Sequence, residues 1–297
     1  MTRIGFIGLG HMGAPMAMNL LKNQHQLIVH DVIKESVQKL VQAGATTTDN
    51  IKQLAENAEI IITMLPAGQH VKDVCLNENG IFNHAKKNTL IIDSSSIDVT
   101  TCRELSALAT QKNLSMIDAP VSGGVVGAEA GSLTFMVGGD LESFQRAQPI
   151  LNCMGKNIIH AGNTGNGQAA KICNNMLLGI SMIGVSEAFI LAQKLGLDAQ
   201  TFFNISSTAS GQCWSMTSYC PVPGPVPKSP ANNDYKAGFT TAMMLKDLKL
   251  SQTAAQSVGA STPLGAEATE LYSLFANLGH EQMDFSGIIK MLRGIEK

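Results

Sequence analysis

Through the first half of this 297-residue chain, short unbroken apolar runs alternate with stretches of helical period. Runs at 4–7, 27–29, 60–64, 90–92, 116–117, 133–137 and 158–159 read as strands. They are continuous in Ile, Val and Leu instead of alternating with polar residues, which marks strands covered on both faces. A mainly parallel sheet with helices on both faces follows. After Gly167 the rhythm stops. Long helical patterns at 168–195, 240–258 and 264–278 contain no internal proline, so the C-terminal part is expected to be all-α. The glycines and asparagines around 162–166 read as a turn between the two parts, giving an N-terminal domain over 1–163 and a helical substrate and oligomerisation domain over 164–297. One insert breaks the pattern: PVPGPVPKSP, 221–230, holds five of the ten prolines and is expected to be an irregular loop.

Composition narrows the class. A 44% hydrophobic chain of this length is long enough for two cores. The balance of 21 Lys and Arg against 23 Asp and Glu contains no long run of either sign, which argues against nucleic acid or an anionic membrane and for a small-molecule partner. Six cysteines, at 75, 102, 153, 173, 213 and 220, form neither a C-x-x-C pair nor a regular framework. They suit a reducing compartment, cytoplasmic in this reading, and indicate no metal site. The N-terminal apolar run superficially resembles a secretory signal, but Gly8, Gly10 and Gly13 interrupt it; a folded first strand and turn is expected. No membrane span is expected.

Those glycines carry the first chemistry. IGFIGLGHMG sets Gly8-x-Gly10-x-x-Gly13 directly between an apolar strand and a helical stretch, with Leu9, His11 and Met12 filling the turn. In that context the glycines permit a tight turn, close backbone approach to a pyrophosphate and close helix packing, the mark of a Rossmann-type domain. Asp31 follows the second strand, where a carboxylate can bind both adenosine ribose hydroxyls and repel a 2′-phosphate. Val32 and Ile33 offer no arginine to reverse that preference. The cofactor read from these residues is NAD.

The second signal is a scarcity. Between 161 and 193 the only charged side chains are Lys171 and Glu187. In a helix Gly167, Lys171, Asn174 and Asn175 share a face, so a gap, an amine and two amides stand together among apolar neighbours. A lone helical lysine ordinarily reaches water with its amine. Held in such surroundings instead, it would lose stabilisation of its charged form and become fit for proton transfer near neutral pH.

Four motifs together make the chain resemble the β-hydroxyacid dehydrogenases, and within them the branch acting on 3-hydroxyisobutyrate. They are GFIGLGHMG, DAPVSGG at 118–124, GNTGNGQAAKICNN at 162–175 and KDL at 246–248. The resemblance implies NAD-dependent oxidation of a small hydroxyacid, that of 3-hydroxyisobutyrate to methylmalonate semialdehyde in valine breakdown; the apolar helices of the second half suggest self-association, as a homodimer or homotetramer. It implies Lys171 as general acid and base, Asn175 orienting the substrate, and Ser122, Gly123 and Gly124 holding the carboxylate. It also places Leu65, Pro66, His70, Ser96 and Lys246 at cofactor positions. His70 stands where relatives often carry an amide, and a solvated helix residue is its other reading. The segment 210–239 resembles that same branch, with Trp214 and Phe239 as apolar walls for a substrate methyl group or as packing beneath a long loop. Another small 3-hydroxyacid or semialdehyde, and a non-catalytic NAD sensor, are the alternatives.

Overall fold

A computed structural model describes residues 1–294, and the chain divides into two compact units, Met1–Lys171 and Ile172–Lys297. The first unit is built on one nine-stranded sheet: β1 Arg3–Ile7, β2 Gln26–His30, β3 Thr46–Thr47, β4 Ile60–Thr63, β5 Leu90–Asp93, β6 Ser115–Asp118, β7 Val121–Ser122, β8 Leu133–Gly138 and β9 Gly155–Gly162. The strand order 3-2-1-4-5-6 is wholly parallel, and β8 then pairs antiparallel with β6 and β7 and parallel with β9. The order reverses between β1 and β4, the point at which such sheets bind ligands beyond the carboxyl ends of their strands.

Helices connect the strands: α1 Gly13–Lys22, α2 Lys34–Gln42, α3 Ile51–Asn57, α4 Gly68–Leu76, α5 Ile81–His84, α6 Val99–Gln111, α7 Gly124–Glu129 and α8 Leu141–Leu151. The unbroken apolar strands are explained by the two cores they divide. Phe6, Ile60, Ile62, Leu90 and Ile92 enter one core, whereas Ile7, Ile61 and Ile91 enter the other, so alternate residues of a strand face opposite helical layers. The two short strands β3 and β7 carry no apolar run, and for that reason the sequence pattern misses them.

In α9, Asn166–Lys194, the opening turns up to Lys171 belong to the first unit. The same helix is, among the described residues, the one long and apolar enough to cross a membrane by length and composition. The second unit adds α10 Ala199–Ser206, α11 Trp214–Thr217, α12 Thr241–Val258, α13 Pro263–Phe275 and α14 Ile288–Arg293. One of its cores joins Met182 and Ile183 of α9 to Met244, Leu248, Tyr272 and Phe275; another joins Val185 and Phe189 to Met216, Val222 and Tyr235. The last predicted helix stops earlier than its apolar pattern, because Gly279 at φ +90° lies in the irregular turn that follows. The proline segment forms turns and bends up to a short 3-10 turn at Pro230–Asn232.

Candidate functional site

At the carboxyl edge of the first unit's sheet the three glycines do three different things. Gly8 turns at φ +95°, and a side chain there would collide with the Met64 carbonyl. A side chain on Gly13, the first residue of α1, would collide with the Gly8 carbonyl. At Gly10 nothing lies within 4 Å of the position a Cβ would take, so this backbone faces open space. Among the described residues no side chain caps α1; in its first turn the Ala14 and Met16 N–H groups donate to the Gly10 and Met12 carbonyls and Pro15 carries none, so Gly13 is the first-turn donor that would meet a ligand. Asp31 anchors the turn: its Oδ2 accepts from the Leu9 N–H at 2.5 Å and its Oδ1 from the Ile33 N–H at 2.7 Å. Met12 packs against the core, while His11 is exposed.

The neighbouring strand ends join this edge. Leu65 follows β4, and its N–H donates to the Ser95 hydroxyl at 2.9 Å; Pro66 is exposed next to it. Asp93, 1% exposed at the end of β5, accepts from the Thr63 hydroxyl at 2.8 Å and the Ser95 N–H at 3.1 Å on one oxygen. Burial pushes its carboxyl up to about 6 against the pull of those hydrogen bonds. Ser96 is the half-buried residue that follows. His70 is exposed on α4 and takes part in none of these hydrogen bonds.

Lys171 is 7% exposed, and its Nζ donates to the Val121 carbonyl at 2.8 Å. The amine is thereby held beside Ser122, Gly123 and Gly124. Both glycines have positive φ, +133° and +62°, in the turn from β7 into α7. Asp118, at the end of β6, accepts from the Gly165 and Gln168 N–H groups, each at 2.8 Å, and burial holds its carboxyl above the usual range. Gly167 is obligatory here: a Cβ would stand 2.7 Å from the Asp118 carboxylate.

In the second unit Asn175, 2% exposed, donates to Asp247 Oδ2 at 2.5 Å. The other oxygen of Asp247 lies 3.3 Å from the Lys246 ammonium. Trp214 is half exposed and stacks on Tyr219 with ring centroids 4.9 Å apart. Tyr219 stacks on Phe285 at 5.3 Å, and Phe239 meets Phe285 edge-on at 5.6 Å, so both aromatic candidates rest on one support. Asp284 underlies it, its Oδ2 accepting from Tyr219 Oη at 2.8 Å and from the Gly238 and Phe239 N–H groups at 3.0 and 3.1 Å. Asp118, Gln168, Asp247 and Asp284 went unread as functional residues; Asp118, Gln168 and Asp247 lie within the motifs, but only their distant partners reveal their work.

The open backbone at Gly10, the uncapped α1 and the oriented Asp31 carboxylate fit the phosphates and ribose of NAD. The family described as the NAD binding domain of 6-phosphogluconate dehydrogenase matches residues 3–162, and that described as NAD-binding of NADP-dependent 3-hydroxyisobutyrate dehydrogenase matches 165–292. The chain is 49% identical, over 99% of both lengths, to a 3-hydroxyisobutyrate dehydrogenase of Pseudomonas aeruginosa. The chain belongs to the 3-hydroxyisobutyrate dehydrogenase family. It is an NAD-dependent hydroxyacid dehydrogenase. An NAD-dependent L-serine dehydrogenase of the same bacterium is 46% identical over 98% of both chains. A 3-hydroxyisobutyrate dehydrogenase of Mycobacterium tuberculosis, solved with L-serine, superposes with a TM-score of 0.94 at 46% identity and covers 99% of this chain and 100% of its own.

Proposed function

We propose that the chain oxidises 3-hydroxyisobutyrate to methylmalonate semialdehyde, with Lys171 as the proton acceptor. The observation that carries this reading is the Lys171 amine, buried and tethered to Val121 beside the Ser122–Gly124 turn. NAD, when bound, supplies the hydride acceptor. In its neutral form the Lys171 amine takes the proton of the substrate hydroxyl, and the turn at Ser122, Gly123 and Gly124 receives the carboxylate through a hydroxyl and backbone N–H groups. Asp247 fixes the direction of the Asn175 amide, so that its remaining donor capacity is aimed rather than free to rotate. Asp31, already oriented by two N–H groups, favours NAD over NADP by binding ribose hydroxyls and opposing a 2′-phosphate. Trp214 and Phe239, on their shared aromatic support, serve as the apolar wall for the substrate methyl group.

L-serine is the second reading, favoured by the similar L-serine dehydrogenase and by the Mycobacterium tuberculosis relative solved with that amino acid. Serine and 3-hydroxyisobutyrate share the β-hydroxyacid core and differ in an ammonium against a methyl. Initial rates of NADH formation on 3-hydroxyisobutyrate, L-serine, glycerate and 4-hydroxybutyrate, side by side, decide between them. A kcat/KM for L-serine above that for 3-hydroxyisobutyrate overturns the first reading. We further propose a place in valine breakdown, in a cytoplasmic setting that suits six free thiols. Self-association is proposed through apolar surface in the second unit that includes Leu177, Leu191, Leu264 and Leu274, all more than half exposed; light scattering reads the state.

A further inference from the structure

We infer that Gln168 is a positioning residue that holds the Ser96 turn and the Lys171 amine in one register; the inference rests on Lys171 carrying the proton. Gln168 is fully buried. Its side chain donates from Nε2 to the Ser95 carbonyl at 2.7 Å and accepts at Oε1 from the Ile97 N–H at 3.1 Å. The amide therefore grips the backbone on both sides of Ser96. The main chain of the same residue donates to Asp118 at 2.8 Å. One helical turn further on, Lys171 returns to the stretch just after Asp118 through its bond to the Val121 carbonyl.

These contacts close a ring. From Asp118 it runs across a hydrogen bond to Gln168, along one turn of α9 to Lys171, across the amine to Val121, and back through Ala119 and Pro120 to Asp118. A ring of this kind has few internal freedoms, so the amine sits at a fixed place relative to Ser122. The Gln168 side chain is the one link among these that leads out of the ring, to the turn after β5, and Ser95 in turn receives the Leu65 N–H from the turn after β4. Three strand-end turns and the amine thus share a hydrogen-bonded frame with Gln168 at its branch point. The part needs a donor and an acceptor on one side chain, because Ser95 presents an acceptor and Ile97 a donor; an amide supplies both at every pH, a carboxyl group only when protonated.

Two variants and one readout beyond turnover test this. The readout is the rate at which an amine-specific acylating reagent modifies Lys171 in the folded protein without cofactor, followed by peptide mapping and expressed as the ratio to wild type at each pH. Gln168→Met keeps the volume but loses both hydrogen bonds. We expect modification of Lys171 to rise about tenfold and kcat on the preferred hydroxyacid to fall about ten- to a hundredfold, the scale of a misplaced reacting group. Gln168→Glu gives the sharper outcome. As a carboxylate it repels the Ser95 carbonyl; protonated, it donates to Ser95 and accepts from Ile97 as the amide does. Its modification ratio should therefore approach one as the pH is lowered and rise again on return to pH 8.

A residue that only stabilises the fold would lower the denaturation midpoint and leave the ratio near one at every pH. That result with Gln168→Glu overturns the inference, even if Gln168→Met does not fold. Lys171→Met separates the two levels. If it retains wild-type kcat, the reading of Lys171 itself fails; if it is inactive while both Gln168 variants match wild type, only the positioning role of Gln168 fails.

Discussion

Asp93→Asn should abolish a definite part of the pH dependence of stability. Asp93 lies at the end of β5 with a carboxyl raised by burial from 3.8 to about 6, and nearby Asp118 adds to the rise. As pH increases, the unfolded chain gives up this proton near 4, whereas the folded chain keeps it to about 6. The stabilising contribution is therefore fully present below pH 4 and is lost as the pH rises through 6. A rise from 3.8 to about 6 corresponds to about 3 kcal/mol between those limits.

Asparagine holds that position without titrating. Its Oδ1 retains the bonds from the Thr63 hydroxyl and the Ser95 N–H, because both converge on one oxygen of Asp93. Among the described residues the other oxygen has no hydrogen-bond partner, and an amide NH₂ placed there stays unpaired, with a penalty of about 1–3 kcal/mol. That offset does not vary with pH. The test is the difference in unfolding free energy between Asp93→Asn and wild type, measured by urea denaturation at pH 4, 6 and 8. It should move by about 2.5 kcal/mol in favour of asparagine from pH 4 to pH 8, the rest of the span lying below pH 4, where the unfolded side chain is still taking up its proton. A difference that stays constant to within about 0.5 kcal/mol would show that Asp93 titrates alike in both states, and the burial argument would be wrong.

Lys171→Met should keep the fold and NAD affinity while kcat falls by about 10² to 10⁴, the usual contribution of a general acid-base group; a loss under about threefold with hydride transfer rate-limiting would refute the role. Asp31→Ala should weaken NAD by about ten- to a hundredfold in a calorimetric titration and relax discrimination against NADP, since charge-assisted bonds contribute about 1.5–3 kcal/mol and the substitution also frees the Leu9 N–H. A wild-type preference for NADP would remove Asp31 from that role. Asp284→Ala leaves five donors without their acceptor, three on one oxygen and the Ser286 N–H and hydroxyl on the other, and should lower stability by about 3 kcal/mol or more, with a change in Trp214 emission because Tyr219, on which Trp214 stacks, loses its hydrogen bond. A loss under about 1 kcal/mol would mean that water replaces the carboxylate.

What the amino-acid pattern disclosed, and what it hid, follows from the range of the interactions involved. The six parallel strands were legible, apart from the two-residue β3, because being covered on both faces writes itself locally as an unbroken run of apolar residues, as in Ile60, Ile61 and Ile62. The glycine turn was legible because Gly8, Gly10 and Gly13 each answer a backbone demand within a few residues of themselves or of the adjoining strand. Lys171 could be singled out because the absence of neighbouring charge is also a local property. Its acceptor is not local: Val121 lies 50 positions away, and nothing in an ordinary valine announces that its carbonyl will hold an amine.

The same reasoning explains why the acids and the amide behind the site stayed hidden. Gln168 grips residues 71 and 73 positions distant, and Asp284 gathers donors 45, 46 and 65 positions away. A buried carboxylate or amide is tolerated only where its lone pairs and protons are met, so each of these residues implies a set of partners that the fold must bring together before the residue makes sense. A sequence shows the demand without showing what meets it. Asp93 shows this well, since among the described residues one oxygen is met twice and the other not at all, and its pH response reports the burial that those two hydrogen bonds only partly offset. The groups that touch substrate or cofactor are recognisable by type, whereas the groups that aim them become recognisable only through contacts across the fold.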